Sequence, residues 1–168
     1  MKRANALPAY AQAALIAAGS ALIVWLFMTG AVIERAISGE AGREAIVAAI
    51  WSHVGWGVVA APLLAAYVAW RLTAAAPPAD GLHRLRRYVF WALAAVVAFL
   101  ILSGPVVVWT YGSALKVFGW FAIPSPTGKL PAIHDPLEAA HLLAGRAAPF
   151  LAAAEAALFG AGLFRRGR

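Results

Sequence analysis

"YVFWALAAVVAFLILSGPVVVWTY", residues 88–111, carries the fold of this 168-residue chain. A helix needs roughly 18 to 20 apolar residues to cross about 30 Å of hydrocarbon, and this run exceeds that length. Three further stretches do the same, at about residues 8–32, 45–70 and 137–164. The composition agrees: 63% of residues are hydrophobic, 12% are charged and the mean hydropathy is +0.78, far from an ordinary soluble domain. Lipid offers backbone amides no partners, so each stretch is expected to be helical. The sequence therefore predicts an all-α, four-helix transmembrane bundle, with residues 1–168 forming one domain in contact with the lipid bilayer.

Lys2 and Arg3 ahead of an apolar run also suit a cleaved signal peptide. The run continues from Leu15 through Ile33 without a convincing small-residue cleavage site, which favours a retained helix. Alternating helices would put Lys2, Arg3, Arg71, Arg84, Arg86, Arg87, Arg165, Arg166 and Arg168 on one side, opposed by Asp80. The other side would hold Arg35, Arg43, Lys116 and Lys129 with Glu34, Glu40, Glu44, Asp135 and Glu138. The positive-inside rule then predicts cytoplasmic termini. The net charge of +7 sits at helix ends, where arginine and lysine meet anionic headgroups, and nucleic acid is not an expected partner. With no cysteine, c-type haem attachment, thiolate-bound iron–sulfur clusters and disulfides are excluded. Residues 74–81, "AAAPPADG", read as a short inner linker. Residues 112–136, with four prolines, read as an extended outer connection.

Ionisable residues inside membrane helices are costly and need a reason. His53 falls near the outer end of the second helix. His141 falls near the outer end of the fourth, where "DPLEAAH" suggests Asp135 as N-cap and Pro136 in the first turn. These helices run in the same direction, so both imidazoles are expected at similar depth, as two axial ligands of one metal require. Gly57 follows His53 by four residues and Gly145 follows His141 by four, clearing the same face one turn deeper for a flat macrocycle. Glycines also permit close helix packing, and a buried histidine also bonds to neighbouring helices. The repeated His-x-x-x-Gly pattern favours the ligand pair. Two histidines would hold one low-spin haem b, suited to passing electrons.

"HVGWG" at His53–Gly57, "LILSGPVVVW" in the third helix, "FGWFAIPSP" and "DPLEAAHLLAG" together resemble the bacterial cytochrome b561 family, related to the b-type cytochrome subunits of Ni-Fe hydrogenase and formate dehydrogenase. The resemblance covers most of the chain in layout and a few short motifs in sequence. It implies that His53 and His141 ligate an outer haem, and that Ser103 and Gly104 pack near it. Two-haem members carry further histidines in the first helix and deeper in the fourth, and neither occurs here. Glu155 stands near where the inner ligand would be. The resemblance thus implies a single-haem variant in the bacterial inner membrane, moving electrons on the periplasmic side between a redox partner, or superoxide, and the quinone pool. Whether it is an enzyme, as a superoxide or quinone oxidoreductase, is left open. An accessory or anchoring subunit of a larger membrane complex, without haem, is the alternative.

Arg146 is about 140° around the helix from His141. It suits a haem propionate, a quinone carbonyl or an ion pair with another helix. Glu155 suits a proton carrier or a residue near the inner leaflet. His134 reads as a solvated loop histidine or a quinone ligand, and His83 as a headgroup contact. Trp51, Trp56 and Trp109 suit either an aromatic belt or the wall of a haem pocket.

Overall fold

The computed structural model describes residues 8–37, 39, 43–73 and 81–166. Four helices account for most of them: α1 (Ala9–Ile37), α2 (Arg43–Thr73), α3 (Gly81–Thr110) and α4 (Pro131–Arg166). All four are long and apolar enough to span a membrane. The chain is an all-α four-helix bundle of a multi-pass membrane protein. Lys2, Arg3, Glu40, Asp80, Arg168 and residues 74–80 of the expected linker lie outside the described residues.

The helices follow one another up and down, and the main contacts join α3 with α4, α1 with α2, and α1 with α4. One end of the bundle carries the start of α1 and the end of α4, and we call it the terminal end. The buried positions are mostly small: Ala49, Ala60, Ala94, Ala148 and Ala152. Lipid tails are as apolar as leucine, so helix association rests on close backbone approach rather than on burial of large side chains. The large side chains face outward, as at Leu102, Leu143 and Phe150.

The helices extend past the apolar runs that predict them. α3 begins at Gly81 rather than at residue 88, which brings Arg84, Arg86 and Arg87 into its first turns. Charged residues are good helix formers and end the apolar run without ending the helix. α4 begins at Pro131 rather than at residue 137, which corrects the assignment of Asp135 as N-cap. The Leu130 carbonyl accepts the His134 amide at 2.9 Å, and Pro131 occupies the first helical position, where a missing N–H costs nothing. Pro136 therefore sits inside the helix.

Between α3 and α4 the chain forms a small hairpin of β1 (Leu115–Val117) and β2 (Phe121–Ile123), antiparallel with Lys116 opposite Ala122. Leu115 and Val117 are buried, and β1 lies against α2. At its tip Phe118 has φ +50°, a conformation disfavoured for an aromatic residue, and Gly119 has φ +77°. The Phe118 ring occupies the place that a Cβ on Gly55 would need, and it meets Trp56 edge-on at 5.7 Å. Gly119 lies against the Trp51 ring, which a Cβ there would approach to 2.7 Å. Gly55 is thus the notch that seats the hairpin, on a face of α2 turned away from His53. Alanine at Gly55 is expected to push the ring out and lower stability by about 1–3 kcal/mol. Thermal unfolding in detergent checks this, and an unchanged Tm would show that the notch is not needed.

Candidate functional site

His53 and His141 converge. Each lies ten residues past the first residue of its helix, about 15 Å along the axis, and their ring centres are 6.3 Å apart with planes 67° from one another. A ligating nitrogen sits about 2 Å from its metal and roughly 1.1 Å from its own ring centre, so rings on opposite sides of one ion have centres about 6 Å apart. The observed spacing meets that requirement.

Each ring is held by the preceding helix. The His53 Nδ1–H donates to the Leu26 carbonyl at 3.0 Å, with the Thr29 hydroxyl 3.1 Å from the same nitrogen. Thr29 directs its own hydroxyl hydrogen back to the carbonyls of Trp25 and Leu26. His141 Nδ1 lies 2.7 Å from the Ser103 hydroxyl, whose oxygen is 3.5 Å from the Leu100 carbonyl. A carbonyl only accepts, so the His53 ring carries its hydrogen on Nδ1 and presents the Nε2 lone pair. The Ser103 hydroxyl, which can donate or accept, is able to hold His141 in the same tautomer. This is the tautomer that binds a metal, with the outward N–H anchored as ligating histidines usually have it. Neither Nε2 makes a hydrogen bond among the described residues.

The glycines divide into two kinds. A Cβ on Gly30 would stand 3.4 Å from the His53 ring, and one on Gly104 would stand 3.4 Å from the His141 ring. These positions admit the imidazoles. Gly57 and Gly145, one turn on from the histidines, would meet no atom within 4 Å. Those faces are open rather than packed against a neighbour.

A haem fits this donor set better than a bare ion does. Among the described residues no three metal-binding side chains come together, so a four-coordinate ion would lack protein ligands, whereas a macrocycle brings four nitrogens of its own. His53 and His141 are the residues that would hold the group, beside the open faces of Gly57 and Gly145.

The other sequence-derived residues lie elsewhere. Arg146 pairs with Glu34 of α1, and both side chains are largely exposed. Trp51 and Trp56 pack against the hairpin, while Trp109 buries its indole nitrogen with no partner among the described residues. His134 is not a loop histidine: it belongs to α4, its Nδ1 lies 3.1 Å from the Val107 carbonyl, and its Nε2 lies 3.5 Å from Glu138. Glu155 is buried against Arg86, whose Nε donates to it at 3.0 Å. Thr29 and Gly30 are the functional positions that sequence reasoning missed. The signal for them is the hydroxyl–glycine dipeptide, Thr29-Gly30 in α1 and Ser103-Gly104 in α3, each on the helix before a histidine.

No protein-family model, curated protein or solved structure matches the chain.

Proposed function

We propose that the protein is a b-type cytochrome of the bacterial inner membrane, binding one haem through His53 and His141 and passing electrons to or from quinone on the side away from its termini. The observation that carries this reading is the pair of converging imidazoles, each anchored through Nδ1 and open at Nε2. Haem b held by these two imidazoles would supply one-electron transfer. The chain's own part is to fix both rings, keep the ligand nitrogens free of protons and shield the site with α1 and α3.

A cofactor about 15 Å from the ends of α2 and α4 lies in the half of the bundle away from the termini. That depth supports exchange with a quinone or a periplasmic redox partner on that side. Superoxide is a further donor consistent with the exposed Lys116 and Lys129. The test is a dithionite-reduced minus air-oxidised spectrum of the purified protein, repeated with an anaerobic quinol as reductant. Sharp b-type α and Soret bands, with reduction by the quinol, support the reading. A protein without haem bands would point instead to an anchoring subunit.

The anchors give a second test. Ser103→Ala removes the hydroxyl bonded to His141 Nδ1 and is expected to weaken haem retention about 10- to 100-fold, as loss of such partners typically does. Thr29→Val is expected to do less, because the Leu26 carbonyl still accepts from His53. Haem titration of the apoproteins orders the two variants, and equal losses would contradict the assigned bonding.

A further inference from the structure

At the terminal end, α1, α3 and α4 enclose a cleft of about 40 Å³ that the haem site does not use. Gln12, His83 and Arg86 supply its polar wall, and Leu158, Gly162 and Leu163 supply part of its apolar wall. One water needs roughly 10 to 15 Å³ measured in this way, so the space admits a group the size of a phosphate.

Charge at this end is unbalanced. Arg71, Arg84, Arg86 and Arg87 face one described acid, Glu155. Arg86 donates its Nε–H to Glu155 and lies beside the Tyr67 hydroxyl, and a guanidinium carries five N–H donors, more than the carboxylate consumes. About 15% of the Arg86 side chain remains exposed, and Arg86 lines the cleft.

Depth identifies the kind of anion. α3 has 30 residues and is about 45 Å long, so about 7 Å at each end projects beyond a 30 Å hydrocarbon layer. Arg86, five residues into α3, stands at that boundary, and Leu158 and Leu163 line the cleft from there toward the terminal end of α4. We propose that the cleft binds the headgroup of an anionic phospholipid, with its phosphate on Arg86 and the polar substituent of the phosphate in the cleft beside Gln12 and His83. Basic pockets between membrane helices select such headgroups on electrostatic grounds.

The test is thermal unfolding of the full chain in a mild neutral detergent with added phosphatidylglycerol, phosphatidylcholine or inorganic phosphate. Phosphatidylglycerol is expected to raise Tm by about 5 °C at saturation, and the other two by less than about 1 °C. Gly162→Leu adds bulk where a Cβ meets no atom within 4 Å, and it should remove that rise. Arg87→Gln, at an exposed position outside the cleft, should keep it. An equal rise with phosphatidylcholine, a full rise with inorganic phosphate alone, or a full rise in Gly162→Leu would overturn the proposal. Native mass spectrometry of the wild type from mixed micelles gives an independent reading. One retained phosphatidylglycerol per chain is expected, and no preference over phosphatidylcholine would also overturn it.

Discussion

Alanine at His53 or at His141 will leave a protein that inserts in the membrane and binds less than about a tenth of the wild-type haem. On the proposed reading, either change removes one of the two haem ligands and leaves a single imidazole to hold the group. Alanine is small, and each histidine is only partly buried, so the bundle should survive. Leucine at Gly57 or at Gly145 is expected to give the same loss by another route. Both positions face open space, so a larger side chain would fill the volume a macrocycle needs without disturbing a packed neighbour. The Leu variants therefore separate room for the cofactor from ligation of its iron. Haem content per chain by pyridine haemochrome, beside circular dichroism for helix content, checks both sets. Full haem in both histidine variants would remove the pair from consideration.

The second large effect lies at the other end of the bundle. Arg86→Met would leave the Glu155 carboxylate, 97% buried, without its hydrogen-bonded cation and with Arg71 as the nearby positive charge. Breaking a buried pair by removing one partner typically costs about 3–5 kcal/mol, because the remaining charge has lost both water and its direct partner. Tm in detergent should fall by roughly 10 °C or more. The double change Arg86→Met with Glu155→Leu should recover most of that loss, since a buried pair is often no better than a packed apolar pair. If the single and double variants are equally destabilised, the loss comes from the guanidinium's contact with the Phe159 ring, at 4.7 Å, rather than from the pairing with Glu155.

These two ends were legible to different degrees. The four spans follow from apolar run length, and the run in residues 88–111 alone requires a membrane helix. Their ends do not follow, because arginines end an apolar run without ending helical hydrogen bonding and a proline can open a helix where no N–H is needed, as Arg84, Arg86 and Pro131 illustrate. The convergence of His53 and His141 follows from matched depth on parallel helices. Their anchors are harder to see, because a Leu26 carbonyl leaves no mark in a side-chain pattern and a threonine in a membrane helix is common. The hairpin tip is harder still: the positive φ at Phe118 depends on the Gly55 notch, 63 residues away in sequence. Gly55 was conspicuous beside His53, yet its work is with the hairpin. The pairing of Glu155 with Arg86 is likewise a tertiary fact, since it joins residues 69 positions apart.

The electron-transfer account rests on two imidazoles sharing one iron. The most direct measurement is electron paramagnetic resonance of the air-oxidised protein, with haem and protein quantified on the same sample. The account predicts one haem per chain and a low-spin ferric signal of the bis-imidazole type, lost from both the His53→Ala and His141→Ala variants. A high-spin signal, two haems per chain, or a low-spin signal that survives either substitution would contradict it.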